Sequence, residues 1–334
     1  MRICIYGAGA IGGHVAARLA RGGAEVSVIA RGAHLAAIRE HGLTVEAADG
    51  VLRCRPRASE DPGALGPQDA VIVTVKAPAL PQVAAGIAPL LGPDTAVAFV
   101  MNGVPWWYFD RTEREGERLP ALDPGEALRR AVGIPRTLGG VVYAAASVAA
   151  PGVIRALAPD SRVVLGELDS AMTPRLAALA GGISAGGMRG EAVADIRRAV
   201  WTKLLGNLMT GPLCLLARSC MQDTLAAPAL RAAAVTIARE VMALAEAHGQ
   251  PIAGDAPEAR IARSAGLRHR PSILQDLEGG RPMEVEALFQ APLALARAAG
   301  VPVPMLEVMV ALATRAAIEA GLYAPPGGMA DGKG

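Results

Sequence analysis

Residues 2–6 (RICIY) form a short apolar run that stops at Gly7, the pattern of a buried strand. Beyond Gly9 the apolar residues Ile11, Val15 and Leu19 recur at helical spacing, and Gly22-Gly23 stops that helix. Residues 24–30 (AEVSVIA) predict a second strand. Strand, glycine-rich turn, helix and strand within about 30 residues is the unit of a parallel sheet. Further strands are predicted at 70–78 (AVIVTVKAP) and 95–103 (TAVAFVMNG), apolar throughout, as in a sheet covered on both faces. GGVVYAAAS, RVVLGELD and EAVADI (191–196) follow as later strands. After about residue 193 the period changes. Helices are predicted over 195–222, 228–248, 284–300 and 304–321, with a loop between Pro251 and Pro257. The pattern predicts an α/β nucleotide-binding domain over 1–193 and a helical domain over 194–323. The tail 324–334 has no core face and is expected to be disordered.

Composition narrows the function classes. The chain has 334 residues, 52% hydrophobic and 19% charged, enough to bury a large core in about two domains. A formal net charge of +2 argues against a nucleic-acid binder that relies on bulk charge. The arginines at 53, 55 and 57 form a short basic cluster without interleaved aromatics, read as a solvated face. The longest apolar stretch, Val141 to Ala150, is too short to cross a bilayer. Cys4, Cys54, Cys214 and Cys220 have no zinc-type spacing, and no secretory leader precedes the first strand. Reduced thiols and a cytoplasmic location are therefore expected, with no metal, nucleic-acid or membrane partner.

Gly7-Ala8-Gly9-Ala10-Ile11-Gly12 is G-x-G-x-x-G in the context it requires, after a strand and opening a helix. The first glycine permits the tight turn, the second lets a pyrophosphate approach, and the third lets helix pack on strand. Free N–H groups at the helix start favour the anion. The second strand ends at Arg31, where an NAD site commonly carries an acid for the ribose hydroxyl. A guanidinium instead suits a 2′-phosphate, so NADPH is the expected cofactor.

The rare residues add a second signal. Only three of the 33 basic residues are lysines (Lys76, Lys203, Lys333), and the chain has only two asparagines (Asn102, Asn207). A lysine can release its proton when its surroundings lower its pKa, which an arginine cannot do. Lys76 and Asn102 fall at the carboxyl ends of predicted strands, where open α/β sheets bind ligands. Lys203 and Asn207 are spaced i, i+4 on one helical face among Trp201, Leu204, Leu205 and Leu208. Ser272 and Glu284 are further polar positions that spacing alone leaves open between function and helix capping or surface charge.

Together GAGAIGG, Arg31, VTVKAP, FVMNGV, WTKLLGN, PSILQDLEGGRPMEVEAL and AGVPVP resemble the ketopantoate reductase (2-dehydropantoate 2-reductase) family over nearly the whole chain. The resemblance implies an N-terminal Rossmann domain, an all-helical C-terminal domain and a substrate cleft between them. It implies Lys203 as general acid, with Glu284 near the substrate hydroxyl as the second catalytic residue. Asn207, Ser272 and Asn102 would bind substrate. Arg31 would take the 2′-phosphate, and Lys76 and Asn102 would lie at the nicotinamide end. The expected activity is NADPH-dependent reduction of a small 2-oxo acid, in a possible homodimer. A different carbonyl or imine acceptor is the alternative, and a non-catalytic NADP(H) sensor is the second.

Two departures stand out. Gly211 occupies the place of a second asparagine, which removes one polar contact to substrate or admits a larger one. Residues 104–130 contain Trp106, Trp107, Tyr108 and Phe109 in a row, equally suited to a hydrophobic plug or dimer contact and to a lid.

Overall fold

Twelve strands carry the first part of the chain: β1 (Arg2–Tyr6), β2 (Glu25–Ile29), β3 (Leu43–Ala47), β4 (Gly50–Cys54), β5 (Arg57–Ser59), β6 (Gln68–Val73), β7 (Leu91–Val100), β8 (Thr137–Tyr143), β9 (Ser147–Ala150), β10 (Val153–Ala156), β11 (Arg162–Glu167) and β12 (Arg189–Ala192). The structure is a computed structural model, and it describes residues 1–326. The described residues divide into two compact units. One joins Met1–Met101 to Pro105–Ile196; the other joins Asn102–Val104 to the chain from Arg197 onward.

In the first unit eight strands form one sheet in the order β12-β11-β8-β7-β6-β1-β2-β5. All neighbours are parallel except β8 and β11. Six of these strands follow the doubly wound Rossmann order, in which the chain's progression across the sheet reverses between the parallel β1 and β6, the place where ligands bind outside the strand carboxyl ends. Covered on both faces, these strands are apolar at successive positions. Ile3, Cys4 and Ile5 of β1 and Val71, Ile72 and Val73 of β6 are all buried. The helices α1 (Ala10–Arg21), α2 (Gly32–His41), α3 (Leu80–Gly86), α4 (Ala127–Val132) and α5 (Pro174–Ala185) accompany the sheet.

A second sheet, β4-β3-β10-β9, was not foreseen as such. Its strands are four or five residues long, and β4 and β9 are largely exposed, so they carry no core-facing run to read. It packs on α1, where a Cβ at Gly13 would lie 2.8 Å from Ile154 Cγ1. Arg53, Arg55 and Arg57 are exposed, as expected of a solvated basic face.

The aromatic run is part of the core of the first unit. Trp106, Trp107, Tyr108 and Phe109 are all buried. Trp106 meets Phe99 edge-on at 5.4 Å, and Gly139 leaves the room that Trp107 fills, since a Cβ there would lie 2.5 Å from its ring. The Arg129 guanidinium stands over Trp106 and pairs with the buried Asp110 at 2.5 Å. Of the two readings the segment admits, the plug is the one its packing supports.

The second unit is helical: α6 (Ile196–Ala217), α7 (Met221–Ala226), α8 (Pro228–Ala247), α9 (Pro257–Ser264), α10 (Ser272–Glu278), α11 (Ala291–Ala299) and α12 (Pro304–Glu319). The short helices α9 and α10 fall where the sequence pattern showed none, because two turns contain too few apolar positions to establish a period. A π-helical turn, Glu286–Gln290, runs into α11. Chain order alone places the boundary near 193. The structure places it after Ile196 and assigns Asn102–Val104 to the helical unit, because Val104 N–H donates to Ala287 O at 2.8 Å. Most of the tail expected to be disordered lies outside the described residues, from 327 onward.

Candidate functional site

The glycine-rich turn in the first unit is built mainly from backbone. Gly7 leaves β1 with φ of +106°, and the N–H groups of Gly7 and Ala8 both donate to Ile29 O at the end of β2. Close packing explains two of the glycines. A Cβ at Gly7 would lie 2.6 Å from Val75 Cγ1, and one at Gly12 only 2.1 Å from Gly7 O. Gly9 differs: a Cβ there would meet nothing within 4 Å. Its smallness serves no neighbour in the protein, as expected of a glycine that leaves room for a ligand. The first bond along α1 runs from Gly13 N–H to Gly9 O at 2.7 Å. The N–H groups of Gly9, Ala10, Ile11 and Gly12 precede that bond, and no side chain caps this helix end and no acid lies in its first turn. That end suits a phosphate anion.

A cavity of about 570 Å³ opens beside this turn, lined by Gly7, Ala8, Gly9, Ala30, Arg31, His34, Val75, Gln82 and the β9–β10 residues Val148, Ala150 and Pro151, among others. Its size suits a small-molecule ligand. Arg31 is exposed at the start of α2 and donates to Gln82 Oε1 at 2.7 Å. Lys76 precedes a short 3-10 turn, Ala77–Ala79, and does not line the cavity, although Val75 and Ala79 do. Thr74 and His34 also support the turn and were not picked out from the sequence. Thr74 Oγ1 donates to Gly7 O at 2.8 Å. Thr74 lies within VTVKAP but is an ordinary strand residue by type, and His34 belongs to none of the motifs.

The second unit brings together side chains far apart in sequence. Lys203 and Asn207 are half-buried on α6, one turn apart. Between them, a Cβ at Gly206 would meet nothing within 4 Å, so this face of the helix lies open. Burial pushes the Lys203 pKa down from 10.5 to about 8, and the Glu284 carboxylate opposes that shift. Glu284 is buried and accepts a hydrogen bond from Asn102 Nδ2 at 3.1 Å. A carboxylate only accepts, so the amide must turn its NH₂ toward Glu284 and present its oxygen on the other side. Lys203, Asn102 and Glu284 thus form one polar cluster. Ser272 is exposed at the first position of α10, where the capping place itself is held by Pro271, so its hydroxyl is not the helix cap. Gly211 is buried on α6, and a Cβ there would meet only Ile273 Cγ2, at 3.6 Å. The departure therefore leaves space beside the residue that follows Ser272. Among the described residues no group of side chains could hold a metal ion.

A doubly wound dinucleotide fold combined with a lysine-centred polar cluster in a helical unit defines a class of nicotinamide-dependent oxidoreductases. Residues 3–170 match the family model described as ketopantoate reductase PanE/ApbA, and residues 195–317 match its C-terminal counterpart. The chain is 42% identical to a 2-dehydropantoate 2-reductase of Mesorhizobium japonicum, over 97% of this chain and 100% of that protein. A crystal structure of a candidate ketopantoate reductase from Ralstonia solanacearum MolK2 is similar with a TM-score of 0.90 at 40% identity, covering 96% of this chain and 99% of that one. The 2-dehydropantoate 2-reductase of Geobacter metallireducens GS-15 is similar with a TM-score of 0.83 at 29% identity, covering 95% and 100%. The chain belongs to the ketopantoate reductase family.

Proposed function

We propose that the protein is an NADPH-dependent reductase of a small 2-oxo acid, converting 2-dehydropantoate to pantoate. Family membership supports the reaction, and the Lys203 cluster is the observation that carries the chemistry. The glycine-rich turn of Gly7, Ala8, Gly9, Ala10, Ile11 and Gly12 fits a pyrophosphate, because Gly9 leaves open space beside free helix-end N–H groups. Arg31 would take the 2′-phosphate, with Lys76 and Asn102 toward the nicotinamide end. When bound, NADPH supplies the hydride to the carbonyl carbon.

The remaining work falls to the helical unit. Negative charge grows on the carbonyl oxygen, and the Lys203 ammonium stabilises it and donates the proton. A pKa of about 8 keeps Lys203 protonated at neutral pH yet ready to release that proton. Asn207 orients the carbonyl and Ser272 binds the carboxylate. Glu284 takes the substrate hydroxyl, and its bond from Asn102 holds the carboxylate in place. The products are a 2-hydroxy acid and NADP⁺, with the hydride on carbon and the lysine proton on oxygen.

Gly211 favours a second reading, in which the acceptor is a larger 2-oxo acid or another carbonyl or imine. The deciding experiment follows NADPH absorbance with the purified protein and a panel of 2-oxo acids and imines. The first reading predicts the highest kcat/KM with 2-dehydropantoate. A higher value with another acceptor selects the second. Tight NADPH binding with no acceptor reduced would support a sensor instead.

No helix among the described residues is long and apolar enough to cross a membrane. All four cysteines are free thiols, which supports action in the cytoplasm. The exposed Val308 and Leu312, one turn apart on α12, support a homodimer through the helical unit. Sedimentation of a Leu312→Glu variant as a monomer would establish it.

A further inference from the structure

We infer that His34 is a positioning residue for the cofactor, joining the glycine-rich turn to the β9–β10 turn, both of which line the cavity. The inference rests on the reading that this cavity takes NADPH. The half-buried His34 ring lines the cavity and has both nitrogens engaged. Gly152 N–H donates to Nδ1 at 3.0 Å, and Nε2 lies 2.7 Å from Ala8 O. Because Gly152 N–H can only donate, Nδ1 must accept. The ring proton therefore sits on Nε2 and is donated to Ala8 O. The neighbours select this one tautomer.

Each bond acts on a different wall. Ala8 N–H is already tied to Ile29 O at 3.0 Å, so the bond from His34 pins this residue at its carbonyl as well. In a planar trans peptide the N–H of Gly9 points opposite to the C=O of Ala8. Holding that carbonyl therefore sets the direction of Gly9 N–H, the first of the free donors at the start of α1. On the other side, Gly152 turns the chain between β9 and β10 with φ of +75°, beside Pro151, which lines the cavity. One ring thus ties the glycine-rich turn to the β9–β10 turn, and a turn held in this way has less freedom to lose when it binds a ligand.

The test is a fluorescence titration of NADPH into the full-length protein, with His34→Ala, His34→Gln and His34→Asn beside the wild type. Gln places its amide near Nε2 and keeps the bond to Ala8 O; Asn places its oxygen near Nδ1 and keeps the bond from Gly152. His34→Ala should raise the Kd for NADPH about tenfold, the scale of one or two lost hydrogen bonds. Its kcat at saturating NADPH should stay within about twofold of wild type, because the proton donor is untouched. His34→Gln should recover most of the affinity, and His34→Asn less. An unchanged Kd in His34→Ala, even with a lowered Tm, overturns the inference and leaves the cofactor reading intact. A wild type that does not bind NADPH overturns both. If His34→Ala does not fold, the other pair decides, and His34→Asn binding as tightly as wild type is the contrary result.

Discussion

The two units hold their chemistry by opposite means. In the first, the groups we assign to the cofactor are mostly backbone N–H groups, and side chains are absent where they would intrude: Gly9 faces open space and Gly12 admits no Cβ. In the second, the groups to which we assign the chemistry are long polar side chains held among apolar ones, Lys203 and Glu284 foremost. A pyrophosphate is a fixed anion, and a rigid ring of amide dipoles suits it. A carbonyl that becomes an alkoxide needs a group that can give up a proton, and the backbone has none to give. The difference follows from the two tasks, and it predicts which substitutions separate binding from turnover.

The largest effect belongs to the side-chain site. Lys203→Ala should lower kcat by about 10²–10⁴-fold, the usual value of a positioned general acid, while NADPH still binds. Its Tm should change little, because relief of the buried ammonium is set against the loss of its attraction to Glu284. A fluorescence titration and a thermal melt check both parts. In the backbone site, Gly12→Ala and Gly9→Ala should diverge. The first drives a Cβ into Gly7 O and should lower Tm as well as abolish NADPH binding. The second should fold with an unchanged Tm and lose about tenfold or more in NADPH affinity, because its Cβ enters only the ligand's space. Equal losses of Tm in the two variants would undo the distinction. The smallest effect is at Gly211. Alanine there makes ordinary contact with Ile273 and should stabilise α6 by up to about 1 kcal/mol, read as a small rise in Tm.

The two sites were not equally legible in the sequence. The glycine turn is local: the spacing of Gly7, Gly9 and Gly12 between strand and helix encodes both its shape and its ligand class. Lys203 and Asn207 were also legible, because i, i+4 spacing fixes their shared face. The Asn102–Glu284 bond joins residues 182 positions apart, and no local pattern encodes it. The same bond belongs with the displaced boundary, since Asn102 follows a Rossmann strand and yet belongs to the helical unit. His34 carries no local signal, because a single histidine after a strand has the pattern of a solvated side chain, and its partners Ala8 and Gly152 lie 26 and 118 positions away. The aromatic run could be counted but not placed, since lids and plugs are equally apolar. Gly139 decided between them by leaving room for Trp107.

The central claim is that the half-buried Lys203 supplies the proton, and the pH dependence of kcat/KM for 2-dehydropantoate at saturating NADPH tests it most directly. Only the protonated lysine can act, and its pKa is lowered to about 8. The rate should therefore be flat at lower pH and decline above about pH 8, toward tenfold for each further pH unit. A rate that stays level or rises as the pH climbs well past that value would contradict the account.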